Sequence, residues 1–140
     1  IALCDHCNEQ LGIDFAVCHK DGKKLCKKCS VVFRNRVICP QCLRGIYPLS
    51  RPSFKVLLLI ANSICNVSDI HTISHVPKKE IKDSVQFLLE GGYTEKAGFF
   101  GHKATEMGFE ALSVYAQLYG GTGDMQELDE ELKGFVSERF

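Results

Sequence analysis

Seven of the eight cysteines fall before residue 43, and six of them form three Cys-x-x-Cys pairs: Cys4 and Cys7, Cys26 and Cys29, Cys39 and Cys42. Cys18 stands alone between the first two pairs. A Cys-x-x-Cys turn aims two sulfurs at one tetrahedral ion, the geometry zinc prefers. Seven thiolates are one short of the eight ligands that two closed sites require. Two side chains near Cys18 are candidates for the eighth, in the run Cys18-His19-Lys20-Asp21. Imidazole is the better zinc donor, but successive side chains of an extended backbone point apart, so Cys18 and His19 do not readily converge. Asp21 repeats the two-residue knuckle spacing, and a carboxylate oxygen is an acceptable zinc donor. Asp21-Gly22 also reads as a hairpin turn. Asp21 is the preferred eighth ligand on spacing, with His19 as the alternative. His6, inside the first knuckle, reads as a surface residue or as one that supports the ligands from behind rather than as a ligand.

Disulfides would call for an oxidising compartment. Cys4, Asp5 and His6 interrupt the opening residues in a way a secretory leader does not. The expectation is therefore reduced thiols and a cytoplasmic setting. The first residue is Ile, so the natural start is expected upstream. The longest apolar run, residues 56–61, is too short to span a bilayer, and no membrane partner is expected. Apart from its cysteines, the stretch 1–50 offers Leu3, Leu11, Ile13, Phe15, Val17, Leu25, Val31, Val32, Phe33, Val37 and Ile38 as core candidates. A chain of about 50 residues rarely folds on so little without a metal or disulfides. With every position filled by protein, the zinc would be structural, because a catalytic zinc keeps one position for water. A redox Cys-x-x-Cys needs a thioredoxin-like βαβ setting, which the sequence does not offer.

The run Cys4-x2-Cys7, Val17-Cys18-x2-Asp21, Leu25-Cys26-x2-Cys29 resembles a B-box zinc finger, and RING domains share its cross-brace. The resemblance implies two ions. Cys4, Cys7, Cys26 and Cys29 would hold one, and Cys18, Asp21, Cys39 and Cys42 the other. B-boxes usually close with two histidines, whereas this chain has Cys39-Pro40-Gln41-Cys42, closer to a zinc-ribbon knuckle.

Beyond residue 50 the signals change from knuckles to helices. Tyr47 to Pro52 reads as a linker, because a proline disfavours helix at the residue before it. Ser53 is the expected cap of a first helix, along which Phe54, Leu57, Leu58, Ala61, Ile64 and Cys65 recur at helical spacing. Cys65 lies on that apolar face and reads as core. Ser68 is expected to cap a short second helix carrying Ile70 and Ile73 and ending near His75. Pro77 opens a third, with Ile81, Val85 and Leu88 inward, and Gly91-Gly92 stops it. Runs 93–97 and 102–105 form a hairpin around Gly98-Phe99-Phe100-Gly101. Thr105 caps a helix carrying Ala111, Leu112, Tyr115, Leu118 and Tyr119.

The exit Leu88-Leu89-Glu90-Gly91-Gly92-Tyr93 and the helix start Thr105-Glu106-Met107-Gly108 resemble winged helix-turn-helix regulators of the MarR, ArsR and PadR kinds. The expected fold is a small zinc-stabilised β/loop module (1–50) plus a mainly helical α+β winged helix-turn-helix (51–123), followed by a C-terminal helix (124–140). The resemblance implies DNA binding through the helix from Pro77 to Glu90. Lys78, Lys79 and Lys82 would meet phosphates, and Gln86 would read a base edge.

Charge qualifies that expectation. The chain is neutral, but residues 1–51 carry +5 and residues 52–140 carry −5. The winged-helix stretch 52–123 is at −1, whereas strong DNA binders are usually basic. Phe99 and Phe100 sit where a DNA-binding wing would carry basic residues, and are expected to pack or to meet a protein. In 124–140, Met125, Leu128, Leu132, Phe135 and Val136 form one apolar stripe, which a short helix must dock somewhere. A homodimer is the expected use, with docking inside the chain as the alternative. No nucleophile with a base, phosphate loop or paired carboxylates suggests an enzyme. The function expected is a DNA-binding transcription regulator. The alternative is a zinc-finger and winged-helix adaptor that binds protein, and a RING-like ubiquitin-ligase role is weaker.

Overall fold

The computed structural model describes residues 2–99, 101–119 and 123–139, with side chains described for all of these except 123, 124 and 135–139. The chain divides into two compact units. One comprises Ile1–Pro48 with Ala116–Leu118, and the other Leu49–Tyr115 with Tyr119–Phe140.

The first unit is built from two-stranded antiparallel pairs. β1 (Ala16–Val17) pairs with β2 (Lys24–Leu25), and β3 (Val31–Phe33) pairs with β4 (Arg36–Ile38). The β3–β4 pair is a hairpin with a two-residue turn, Arg34 (φ 49°) and Asn35 (φ 64°), both left-handed. That geometry matches the right-handed twist of a hairpin, and Asn is among the residues that tolerate it. It follows directly from Val31-Val32-Phe33-Arg34-Asn35-Arg36-Val37-Ile38, but no hairpin was expected there. A short helix α1 (Pro40–Ile46) was also unexpected. Pro40 takes a first-turn position, where its missing N–H costs nothing, and the Cys39 sulfur caps the helix by accepting from the Cys42 N–H.

The core of this unit is smaller than the sequence suggested. Leu25, Val31, Ile38, Leu43 and Tyr47 are buried beside Cys4, Cys18, Cys29 and Cys39. Leu3, Ile13, Phe15, Val17 and Val32 are exposed instead, Ile13 almost fully at 98%. Val17 and Val32 take the outward positions of β1 and β3, as alternation along a strand requires, while Leu3, Ile13 and Phe15 lie outside the four strands.

The second unit runs α2 (Arg51–Ala61), α3 (Val67–Ser74), α4 (Lys78–Glu90), β5 (Thr94–Ala97), β6 (Gly101–Ala104), α5 (Glu106–Tyr119) and α6 (Gly123–Arg139). The order helix, helix, helix, hairpin, helix is the one the spacing predicts. Two caps differ. α2 begins at Arg51 and is capped by Ser50, whose Oγ accepts from the Ser53 N–H at 3.3 Å. Pro52 lies in the first turn, where it needs no N–H, so the linker is shorter than expected. Asn66, not Ser68, caps α3, its Oδ1 accepting from the Ser68 N–H at 2.8 Å. α2 also stops at Ala61, and Ser63 turns the chain at φ 67°. Cys65 therefore lies outside the helix, half-buried, donating to the His102 carbonyl at 3.1 Å.

Phe54, Leu57, Ile60, Ile70, Ile73, Ile81, Leu88 and Tyr115 are buried in this unit. Gly108 on α5 lets that helix approach the hairpin: a Cβ there would stand 2.1 Å from the Tyr93 carbonyl oxygen. Thr105 caps α5 by accepting from the Gly108 N–H at 3.2 Å. α6 docks on α3 of the same chain, burying Met125 and Leu128, and His75 meets Glu131 at 3.5 Å. Leu132 is half-buried, while the expected stripe residues Phe135 and Val136 fall outside the described side chains. Phe100 and residues 120–122, read as wing tip and joint, also fall outside the described residues. No helix among the described residues is long and apolar enough to cross a membrane.

Candidate metal centres

Backbone hydrogen bonds bring distant knuckles together. The Asp5 N–H donates to the Lys24 carbonyl at 2.8 Å, and the Asp5 carboxylate accepts from the Lys24 N–H at 2.8 Å. This sews the first knuckle to β2, which leads into Cys26. In the same way the His19 N–H donates to the Val37 carbonyl at 2.8 Å, tying the turn after Cys18 to β4, which leads into Cys39.

The result is two groups of four ligands. Cys4, Cys7, Cys26 and Cys29 form one, and Cys18, Asp21, Cys39 and Cys42 the other, with the ligand atoms of each group within 4.8 Å of one another. All eight cysteines are free thiols. A tetrahedral zinc with Zn–S bonds of about 2.3 Å has S···S edges of about 3.8 Å. The Cys7 and Cys26 sulfurs are 3.7 Å apart, and those of Cys18 and Cys42 are 3.8 Å apart. The donor set and its spacing fit zinc.

Asp21 takes both parts offered by its sequence. Its Oδ1 accepts from the Lys23 N–H at 3.1 Å across a turn in which Gly22 has φ 73°. Its Oδ2 lies 3.1 Å from the Cys39 sulfur and 3.4 Å from that of Cys42. The turn is what aims the carboxylate at the cluster. His19 does not join the four; its ring lies against the Arg36 guanidinium. His6 is exposed.

Electrostatics show why each cluster suits a cation. The Asp21 carboxyl is held well below the ordinary carboxylate range, first by the Cys18 thiol and then by the Lys23 N–H. Burial pushes the Cys42 thiol up to about 12, helped by the sulfurs beside it. Burial likewise raises Cys39 and Cys29, the latter further by its cluster partners. Cys4 is the exception. Burial would raise it, but the Cys26, Cys7 and His6 backbone N–H groups donate to its sulfur and bring it down to about 6. Packed thiols cannot all ionise next to one another, and a divalent ion removes that penalty. The backbone donors are supporting features that residue identity does not reveal. The Cys26 N–H reaches the Cys4 sulfur at 3.4 Å, and the Cys39 N–H reaches that of Cys18 at 3.3 Å.

The other candidate residues lie on α4. Lys78, Lys79, Lys82 and Gln86 are all exposed, as are Glu80 and Asp83, while Ile81, Ser84 and Leu88 face inward. Gln86 donates to the Glu90 carboxylate at 2.7 Å, which occupies its amide. No family model, curated protein or solved structure matches this chain.

Proposed function

We propose that this chain is a DNA-binding transcription regulator in which two structural zinc ions build the first unit and a winged helix-turn-helix forms the second. The observation that carries the reading is the face of α4: three lysines and a glutamine stand exposed on a helix that buries Ile81, Ser84 and Leu88. A helix followed by a β-hairpin in this order is the arrangement in which a recognition helix enters the major groove. Lys78, Lys79 and Lys82 would contact phosphates, and Gln86 would exchange Glu90 for an adenine edge. Cys4, Cys7, Cys26 and Cys29 would hold one zinc, and Cys18, Asp21, Cys39 and Cys42 the second, with no position kept for water. The setting would be reducing and cytoplasmic.

Zinc loading changes the charge available. Seven thiolates and two divalent ions together bring −3, so the +5 of residues 1–51 becomes about +2. The loaded module's charge still exceeds the −1 of residues 52–123 and is of opposite sign.

Phe99 favours a second reading. It stands 99% exposed beside the hairpin tip, where apolar surface suits a protein partner better than phosphate. On that reading the chain is a zinc-finger and winged-helix adaptor, with a RING-like ubiquitin-ligase role as the weaker variant. A salt series with mixed duplex DNA separates the two. A regulator loses affinity with a log–log slope of about −0.9 per phosphate neutralised. No binding at low salt leaves the adaptor.

A further inference from the structure

The first unit carries a second chemical feature, outside the two metal clusters. His19, Lys20, Phe33, Arg34, Arg36 and Ile38 line a cavity of about 340 Å³ between the turn after Cys18 and the β3–β4 hairpin. That volume lies within the range of small-ligand pockets. Its lining holds three cationic side chains and no acidic one. Two other lysines of the unit stand near carboxylates, Lys23 at 3.8 Å from Asp21 and Lys28 at 3.9 Å from Glu9. Among the described residues, neither Lys20 nor Arg36 pairs with a carboxylate; Arg36 meets only the His19 ring.

The floor is different in kind. Ile38 is buried, and Phe33 is half-buried with its ring edge-on to Tyr47 at 5.9 Å. The Arg34 guanidinium lies over the Phe33 ring, 4.9 Å from its centroid, and so presents a flat cation. Arg34 also sits at φ 49°, where Gly, Asn or Asp would be favoured.

We propose that this pocket binds a nucleotide unit, with its phosphate on Lys20, Arg34 and Arg36 and its base against the Arg34–Phe33 face. A phosphate alone would need neither the apolar floor nor the flat cation. The unit can come from a free mononucleotide or from a single-stranded nucleic acid, and both present the same phosphate and base. The site is independent of α4.

The test uses the full zinc-loaded chain. Adenosine monophosphate, a ten-nucleotide single strand and inorganic phosphate are titrated separately, and the amide resonances of His19, Lys20 and Arg36 are followed. The mononucleotide, the strand or both should shift them at least tenfold more tightly than phosphate, and whichever binds tighter identifies the source. Arg36→Glu should weaken binding at least tenfold. Arg34→Gly should do the same while keeping two zinc ions and a folded spectrum, because glycine suits that turn. Lys78→Glu with Lys79→Glu should leave the shifts unchanged even if duplex binding fails, which separates this site from the regulator reading. Equal response to inorganic phosphate, tighter binding of a phosphopeptide, or indifference to both arginine variants would overturn the assignment.

Discussion

The sulfurs of Cys18 and Cys42 stand 3.8 Å apart across 24 residues of sequence, with the Asp21 carboxylate 3.4 Å from the second of them. This is the edge length of a tetrahedron around zinc, built from a lone cysteine, an aspartate and the start of a helix. The aspartate sits there because its own turn holds it, through the bond from the Lys23 N–H.

Elemental analysis should therefore find two zinc ions per chain, and Asp21→Ala should reduce this to one. His19→Ala should keep both, since its ring faces Arg36 and not the cluster. Loss of an ion in His19→Ala alone would show that the eighth ligand is the histidine.

Removing the metal should unfold the first unit and spare the second. The first unit buries Leu25, Val31, Ile38, Leu43 and Tyr47 beside its cysteines, whereas the second has a larger aliphatic and aromatic core. With a strong chelator, amide dispersion from residues 2–48 should collapse while α2 to α5 keep theirs. Retention of the β3–β4 resonances without zinc would show that the small core suffices.

Loading zinc at pH 7 should release protons. The thiols of Cys7, Cys29, Cys39 and Cys42 all lie above their ordinary value in the metal-free chain, so they are neutral there and must ionise to bind. At least one proton for each should appear in weakly buffered solution, and affinity should fall about tenfold for each unit by which pH is lowered, for every proton coupled. Asp21 differs from the thiols: it is already ionised at pH 7 and releases no proton on loading. Its folded-state pKa is depressed, so its contribution is present above its ordinary 3.8 and is lost as pH falls through the folded value. Zinc release should thus be complete in acid, and pH-independent binding would contradict the ligand set.

Gly108→Ala should destabilise the second unit by about 1–3 kcal/mol, because the added methyl would stand 2.1 Å from the Tyr93 carbonyl oxygen and α5 would have to move. Gly45→Ala, in α1 with nothing within 4 Å, is the control and should be neutral or stabilising by up to about 1 kcal/mol. Equal melting temperatures for the wild type and Gly108→Ala would remove the packing argument.

Lys78→Glu combined with Lys82→Glu should abolish duplex binding and leave zinc content intact, since both side chains are exposed and far in sequence from any ligand. An unchanged salt slope would mean that α4 does not meet phosphate.

Much of the second unit was readable from spacing. Ile81 and Leu88 face inward where a 3.6-residue period puts them, and Gly91-Gly92 stops α4, with Gly92 in the left-handed region at φ 81°. The misplaced caps show where local reading fails. Ser50, Ser53, Asn66 and Ser68 are all good capping residues, and which one caps depends on where the helix must start to pack. In the first unit, Val17 and Val32 have the composition of core but are exposed, because alternation along such short strands sends every second side chain outward.

The sequence by itself determined the ligand types, their knuckle spacing and the helical periods, since each is a matter of neighbours along the chain. Only the tertiary structure decided which knuckles share a centre, that Asp21 and not His19 completes the second one, and that Met125 and Leu128 dock on α3 of their own chain. Those outcomes depend on groups far apart in sequence meeting within a few ångströms. Backbone bonds such as His19 to Val37 set that meeting, and no local pattern encodes it.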